Sequence, residues 1–211
     1  MSIKLLIEMT VRRTSLYSIC YPFWLRRQYR KWLKAGQPAP PPHFVKQITI
    51  REYASKFGLP VCIETGTYWG NMIYAVKDLF EEIYSIELDV ELYKQAKRRF
   101  AAFNHVTILH GDSGEVLKDI LPSITRPCLF WLDGHFSADI TAKGALETSI
   151  QKELLSIFAH QLAQSHVILI DDARWFTGTG DYPTLNQVRE MVTSAGFNNF
   201  EVKDDIIRVC R

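Results

Sequence analysis

The feature that most narrows what this chain can fold into is a rhythm of five short, continuously apolar runs, each followed by a longer amphipathic stretch. The runs are Val61-Cys62-Ile63, Ile83-Tyr84-Ser85-Ile86, Val106-Thr107-Ile108-Leu109, Cys128-Leu129-Phe130-Trp131-Leu132 and Val167-Ile168-Leu169-Ile170. A strand with one solvated face alternates apolar and polar residues, whereas a strand apolar throughout is buried on both faces. The intervening stretches have helical periodicity at about 70–80, 90–103, 113–121 and 144–163, and another helical stretch covers about 45–57. Parallel strands need crossover connections of this length. The pattern therefore predicts an α/β fold with a Rossmann-like, doubly wound, mostly parallel sheet. The tail departs from the rhythm. A helix near 184–195 stops at Gly196, and Phe200-Glu201-Val202 and Ile206-Ile207-Arg208-Val209 flank Lys203-Asp204-Asp205, which reads as a C-terminal antiparallel hairpin.

Charge divides the chain differently. Residues 1–34 carry eight basic side chains (Lys4, Arg12, Arg13, Arg26, Arg27, Arg30, Lys31, Lys34) against the single acid Glu8. The following Gly36-Gln37-Pro38-Ala39-Pro40-Pro41-Pro42 cannot continue a helix, because proline lacks the N–H and clashes with the preceding turn. Residues 1–42 thus read as a basic, amphipathic helical extension with a Pro-rich linker, and residues 43–211 as the main domain. Pro22 suits the first turn of a helix. Leu25, Tyr29, Trp32 and Leu33 share one helical face and Arg26, Arg27, Arg30, Lys31 and Lys34 fill the other. That pattern fits peripheral contact of residues 22–34 with a membrane surface. The commoner alternative for an amphipathic helix is packing on its own domain or on a homodimer partner.

The bulk properties set outer limits. With 211 residues, 47% hydrophobic and 23% charged, the chain can bury a sizeable core. A net charge of +2 gives no footing for nucleic acid. Cys20, Cys62, Cys128 and Cys210 lie far apart with no CxxC pair, which points to a reducing, cytoplasmic setting. No apolar run approaches the roughly 20 residues of a membrane-spanning helix. Lys4, Glu8, Arg12 and Arg13 interrupt any signal-peptide core.

Ligands of open α/β sheets bind outside the carboxyl ends of the strands, where the strand order reverses. The first strand runs into Glu64-Thr65-Gly66-Thr67-Tyr68-Trp69-Gly70. Gly66 permits a tight turn beneath a ligand, and Gly70 permits close packing of the next helix on the strand. The second strand ends at Ser85-Ile86-Glu87-Leu88-Asp89. An acid about 20 residues beyond a glycine loop can accept hydrogen bonds from ribose hydroxyls, a role that suits Glu87, while Asp89 suits a helix N-terminus. After the third strand, in His110-Gly111-Asp112-Ser113, Asp112 is placed to cap the next helix and His110 reads as structural.

The fourth and fifth strands end in Leu132-Asp133-Gly134-His135-Phe136-Ser137 and Ile170-Asp171-Asp172-Ala173-Arg174. Adjacent strands would gather Asp133, Asp171 and Asp172, and three close carboxylates repel unless protonated, solvated or bridged by a cation. A hard divalent ion such as Mg²⁺ takes oxygen ligands of this kind. His135 can serve as a general base near neutral pH, and Arg174 as partner of an anionic acceptor or of a structural acid. The stretch Trp175-Phe176-Thr177-Gly178-Thr179-Gly180-Asp181-Tyr182 reads as a mobile lid with glycine hinges and aromatic cover, and Thr141-Ala142-Lys143-Gly144 as a second loop over the same rim.

Five β/α units followed by a helix and a hairpin, over about residues 58–211, resemble class I S-adenosylmethionine (SAM)-dependent methyltransferases. The Glu64-x-Gly66-x-x-x-Gly70 turn is similar to their acid-x-Gly-x-x-x-Gly first motif. The resemblance implies Glu64, Gly66 and Gly70 at the amino-acid end of SAM, Glu87 on the ribose and Asp112 at the adenine amino group. Asp133 with Asp171-Asp172 is similar to the acids of metal-dependent sugar and natural-product O-methyltransferases. That likeness implies an ion on Asp133, Asp171 and Asp172 that holds acceptor hydroxyls and lowers their pKa. It also implies Asp133 beside the cofactor, with His135 and Asp133 as catalytic groups. Those enzymes often carry Asp-Gly-Asp-His, one residue longer than Asp133-Gly134-His135. The expected activity is O-methylation of a sugar or another small hydroxylated acceptor. The competing classes are an NAD-dependent oxidoreductase, which shares the glycine loop and ribose acid, and a non-catalytic Rossmann-like binding module. Against the oxidoreductase stand the ExGxxxG spacing, the hairpin and the lack of a separate substrate domain.

Overall fold

Every apolar run becomes a strand of one seven-stranded sheet. The computed structural model describes residues 15–134 and 148–211, with side chains from residue 23 onward. Helices α1 (Ser15–Lys34) and α2 (His43–Phe57) precede β1 (Val61–Thr65). Then follow α3 (Asn71–Val76), β2 (Glu82–Glu87), α4 (Val90–Arg99), β3 (Val106–His110), α5 (Ser113–Ile120) and β4 (Cys128–Leu132). The chain closes with α6 (Ile150–Phe158), β5 (Val167–Ile170), α7 (Leu185–Ser194), β6 (Asn199–Lys203) and β7 (Ile206–Cys210).

The strand order is β3-β2-β1-β4-β5-β7-β6. The pairs β1–β2, β1–β4, β2–β3 and β4–β5 are parallel, and β7 runs antiparallel between β5 and β6. The order reverses between β1 and β4, which opens a crevice at their carboxyl ends. The expected doubly wound sheet with a C-terminal hairpin is the fold observed.

The pleat explains the apolar runs. Cys128, Phe130 and Leu132 of β4 face a core that includes Leu117 of α5, Leu154 and Ile157 of α6, and Val188 and Val192 of α7. Leu129 and Trp131 face the opposite core, with Ile50 and Tyr53 of α2, Ile73 and Val76 of α3, and Ala96 of α4. Each fully buried side chain of this size contributes about 1.5–3 kcal/mol through its removal from water, so a polar residue on either face would be costly.

Local signals set the helix ends. The Asp89 carboxylate accepts from the backbone N–H of Glu91 and Leu92 at the start of α4. Thr184 and Gln187 close a capping box on α7. Gly58, in the left-handed region with φ +60°, ends α2 and turns the chain into β1.

Two expected elements differ. Pro22 does not open α1: the helix already runs from Ser15 and forgoes the hydrogen bond that the missing N–H of Pro22 would have made. The periodicity over 144–163 overstates its helix, for α6 ends at Phe158 and residues 144–147 lie outside the described residues. Beyond α6 the His160 ring turns inward to bond His166 and the Ile124 carbonyl.

The apolar stripe of α1 is used inside the molecule. Leu25 and Trp32 are buried, the Trp32 indole N–H donates to the Pro38 carbonyl at 2.7 Å, and the Tyr29 ring meets Phe44 of α2 edge-on. Outward point Arg26, Arg27, Arg30, Lys31 and Lys34, with Phe23, Trp24 and Leu33 also exposed.

Candidate functional site at the carboxyl edge of the sheet

The site begins where β1 meets β4. Gly66 has φ +82°, and a Cβ there would stand 2.4 Å from the Asp133 carbonyl oxygen. Only glycine lets the turn after β1 pass this close to the end of β4. Gly70 also has a positive φ, +67°, and its missing side chain makes room for the ring of Phe100 just beyond α4, 2.5 Å from a notional Cβ. Its close contact is therefore with that ring, whereas the sequence reading placed it against the strand.

Three acids lie along the β1, β2 and β3 ends of this edge. Glu64 is the fourth residue of β1 and is buried, with its carboxyl accepting from the Ser85 hydroxyl at 2.5 Å. Burial pushes that carboxyl well above the ordinary range; the Ser85 bond opposes this, and the nearby Asp133 and Glu87 add to it. Glu87 ends β2, buried, and its two oxygens accept from the Tyr68 N–H at 2.7 Å and the Asp89 N–H at 2.9 Å. Burial raises its pKa as well, against those backbone bonds. The pair of N–H donors holds the carboxylate in one orientation beside the Gly66 turn. Asp112 follows β3 and accepts from the Gly114 N–H at 2.9 Å as the N-cap of α5. His110 sits on the edge strand with its ring beside Tyr93 and a contact of 3.1 Å to the Leu88 carbonyl, in keeping with a structural role.

The β4 and β5 ends supply the second half. The Asp133 N–H bonds the Thr65 carbonyl at 3.1 Å, and the Asp171 N–H bonds the Leu132 carbonyl at 3.0 Å, so both segments leave the sheet together. Asp133, Asp171 and Asp172 offer carboxylate oxygens within 4.8 Å of one another. The expected gathering of these three acids is present, and their all-oxygen donor set is of the kind a hard cation takes.

A residue that sequence reasoning passed over stands among them. Lys46, in the first turns of α2, donates to Asp171, and its ammonium lies 3.6 Å from Asp172. Burial works to lower the Lys46 pKa, but the charges of Asp171, Asp133 and Asp172 outweigh it, and the ammonium stays protonated. Burial, with Asp133 adding and Lys46 opposing, pushes the Asp171 carboxyl up to about 8. Glu153 of α6 was also missed. It is a buried carboxyl that accepts from Ser113 at 2.5 Å and Ser149 at 2.8 Å, near Gly134. Neither residue has a distinctive neighbour in the sequence; each looks like a solvated charge on an amphipathic helix.

Other expectations are corrected or lie elsewhere. Of the two readings of Arg174, the structural one is observed: it pairs with Asp172 at 2.8 Å and with Asp205 in the turn between β6 and β7. The segment 175–182 is not aromatic cover throughout: Phe176 is buried in the core and Tyr182 packs edge-on against it, leaving Trp175 exposed. His135 and the loop Thr141–Gly144 lie outside the described residues.

A parallel sheet that reverses between β1 and β4 and ends in an antiparallel hairpin defines the fold of class I SAM-dependent methyltransferases. Solved structures share that fold. An O-methyltransferase from Bacillus cereus in complex with S-adenosylhomocysteine (SAH) is similar over 89% of this chain and 90% of its own, at 14% identity and a TM-score of 0.55. The O-methyltransferase TomG from Streptomyces achromogenes, involved in tomaymycin synthesis and solved with SAM, matches over 88% of this chain and 87% of its own, at 15% identity and a TM-score of 0.53. A SAH-bound methyltransferase from Podospora anserina covers 97% of this chain and 93% of its own, at 14% identity and a TM-score of 0.53. No protein-family model matches the chain, and no curated protein does.

Proposed function

We propose that this protein is a SAM-dependent O-methyltransferase acting on a sugar or another small hydroxylated acceptor. The observation that carries the reading is the convergence of Glu64, Glu87 and Asp133 around the Gly66 turn at the point where the strand order reverses. The residues fit the cofactor in kind. Glu87, fixed by two backbone donors, keeps lone pairs for ribose hydroxyls, and Glu64 is a buried acid for the ammonium of the methionine moiety. Asp112 has one carboxylate oxygen on the α5 N-terminus and a second for the adenine amino group. When bound, SAM supplies an electrophilic methyl group on a sulfonium.

The chain's own part is alignment and proton handling. Asp133 would accept the proton of the acceptor hydroxyl as its oxygen bonds to the methyl carbon and the carbon–sulfur bond breaks, leaving the thioether SAH, with His135 as the other candidate for that proton. The edge groups hold the acceptor in line with the methyl group, which can supply much of the rate without a covalent step. An oxidoreductase reading fits less well, because a dinucleotide sheet of order 3-2-1-4-5-6 does not insert an antiparallel strand beside β5.

Calorimetry with SAM, SAH and NAD tests the assignment. SAH should bind and NAD should not. Glu87→Ala should weaken SAH binding by roughly 10–100-fold, in line with loss of a charged hydrogen-bonding group. Asp171→Asn should spare SAH binding and remove turnover. Binding of NAD with no binding of SAH would transfer the protein to the oxidoreductases.

The outward face of α1 supports a second reading, on where the protein works. Five cations point away from the domain with Phe23 and Trp24 exposed among them, and residues 15–51 contain no acid. Such a face suits an anionic bilayer surface, where cations meet headgroups and aromatic rings enter the acyl boundary. Liposome flotation should recover the full chain with acidic but not zwitterionic vesicles; equal recovery after deletion of 1–42 would end the idea.

A further inference from the structure

We infer that Lys46 is the resident cation of the Asp133–Asp171–Asp172 rim, and that this site works without a divalent metal because the ammonium already occupies the position between the carboxylates.

The geometry rests on two elements far apart in sequence. The second core seats α2 on the sheet through Ile50, Tyr53 and Ala54, beside Trp131 of β4 and Leu169 of β5. Lys46 lies near the start of the same helix and reaches the rim just beyond those strands. Its side chain is 15% exposed, and its partners Asp171 and Asp172 are 0% and 9% exposed. Little water is left to screen a charge there.

A divalent ion coordinated by the same oxygens would sit about 2.0–2.6 Å from them, hence within a few ångströms of the ammonium. At that distance two cations repel strongly in a screened-off site. Metal could enter only by driving Lys46 out of its ion pair and leaving the ammonium part-buried. The ammonium can meanwhile do part of what a metal does at such a site. It offsets carboxylate repulsion, fixes the Asp171 side chain while Arg174 holds Asp172 and, having three N–H donors, can direct one to an acceptor oxygen. That last role rests on the methyltransferase reading; the exclusion of metal does not. Lys46 is therefore a positioning residue whose removal should create a metal site.

Mn²⁺ binding to the full chain tests this, read by electron paramagnetic resonance and by calorimetry, with no acceptor needed. The wild type should show no saturable binding up to about 1 mM. Lys46→Met should gain one site, tighter by at least ~100-fold given the loss of a like charge at contact distance. Asp171→Asn added to Lys46→Met should abolish it, and Lys46→Arg should stay metal-free. Wild-type binding in the micromolar range that Asp171→Asn removes would overturn the inference. So would a folded Lys46→Met, checked by circular dichroism, that takes up no Mn²⁺. Should Lys46→Met fail to fold, the wild-type titration still decides. SAH binding is measured on the same samples: its absence would defeat the methyltransferase reading and leave the metal result standing.

Discussion

The carbonyl oxygen of Asp133 lies 2.4 Å from where a Cβ on Gly66 would stand, so the turn after β1 and the end of β4 touch backbone to backbone. Gly66→Ala must push these strand ends apart and also hold alanine at φ +82°. The strain alone should cost about 1–3 kcal/mol, and SAH affinity should fall with it. Thermal denaturation and calorimetry on the same variant check both. A variant as stable as wild type and binding SAH normally would show that the crevice is not where the cofactor lies.

Glu64 yields a proton-linkage test. Burial, with Asp133 and Glu87 nearby, holds its carboxyl well above the usual range in the free protein, which favours the protonated form. An ammonium arriving beside it lowers that pKa and expels the proton. SAH binding should thus release a proton, seen as a calorimetric enthalpy that varies with the ionisation enthalpy of the buffer. Glu64→Gln should remove the dependence.

The far side of the sheet carries a pH-sensitive element of stability. The Cys128 N–H donates to His166 Nδ1 at 3.0 Å, His166 Nε2 pairs with His160 Nδ1 at 2.8 Å, and His160 Nε2 meets the Ile124 carbonyl at 3.1 Å. The chain is consistent with one proton on each ring. Burial, together with His160, pushes the His166 pKa down to about 4 from 6.5. A depressed histidine pKa means that the unfolded chain binds the proton first as pH falls. Stability is then complete above about pH 6.5 and is lost toward pH 4, by about 3 kcal/mol at 1.36 kcal/mol per pKa unit. Urea denaturation across that window should show the slope, and His166→Gln should flatten it.

Phe176 should behave as a core residue. It is 5% exposed in the cluster with Val188 and Val192. Phe176→Ala should cost about 3–5 kcal/mol, measured by chemical denaturation, whereas Trp175→Ala at an exposed position should change stability little.

The central strands were legible because burial on both faces of a sheet favours apolar residues at nearly every position, and β4 is apolar at every residue. The hairpin was legible from its turn residues, and the Gly66 turn from its place after a strand. Asp133, Asp171 and Asp172 could be read as neighbours because β4 and β5 pair directly and all three acids follow strand ends. Phe176 of the lid segment was misread because an aromatic residue in a glycine-rich segment has the same composition whether it covers a ligand or anchors the segment in the core. Periodicity alone also could not say which surface the apolar stripe of α1 covers.

Composition and spacing alone determined the sheet, its hairpin and which strand ends carry acids, because those depend on local propensity and on burial pattern along the chain. Tertiary structure alone decided what neutralises the acids. Lys46 and Asp171 are 125 residues apart, and their meeting depends on how α2 is seated against β4 and β5. A charge on a helix surface has the same sequence signature in water as in an ion pair, and only the packing of the helix tells the two apart.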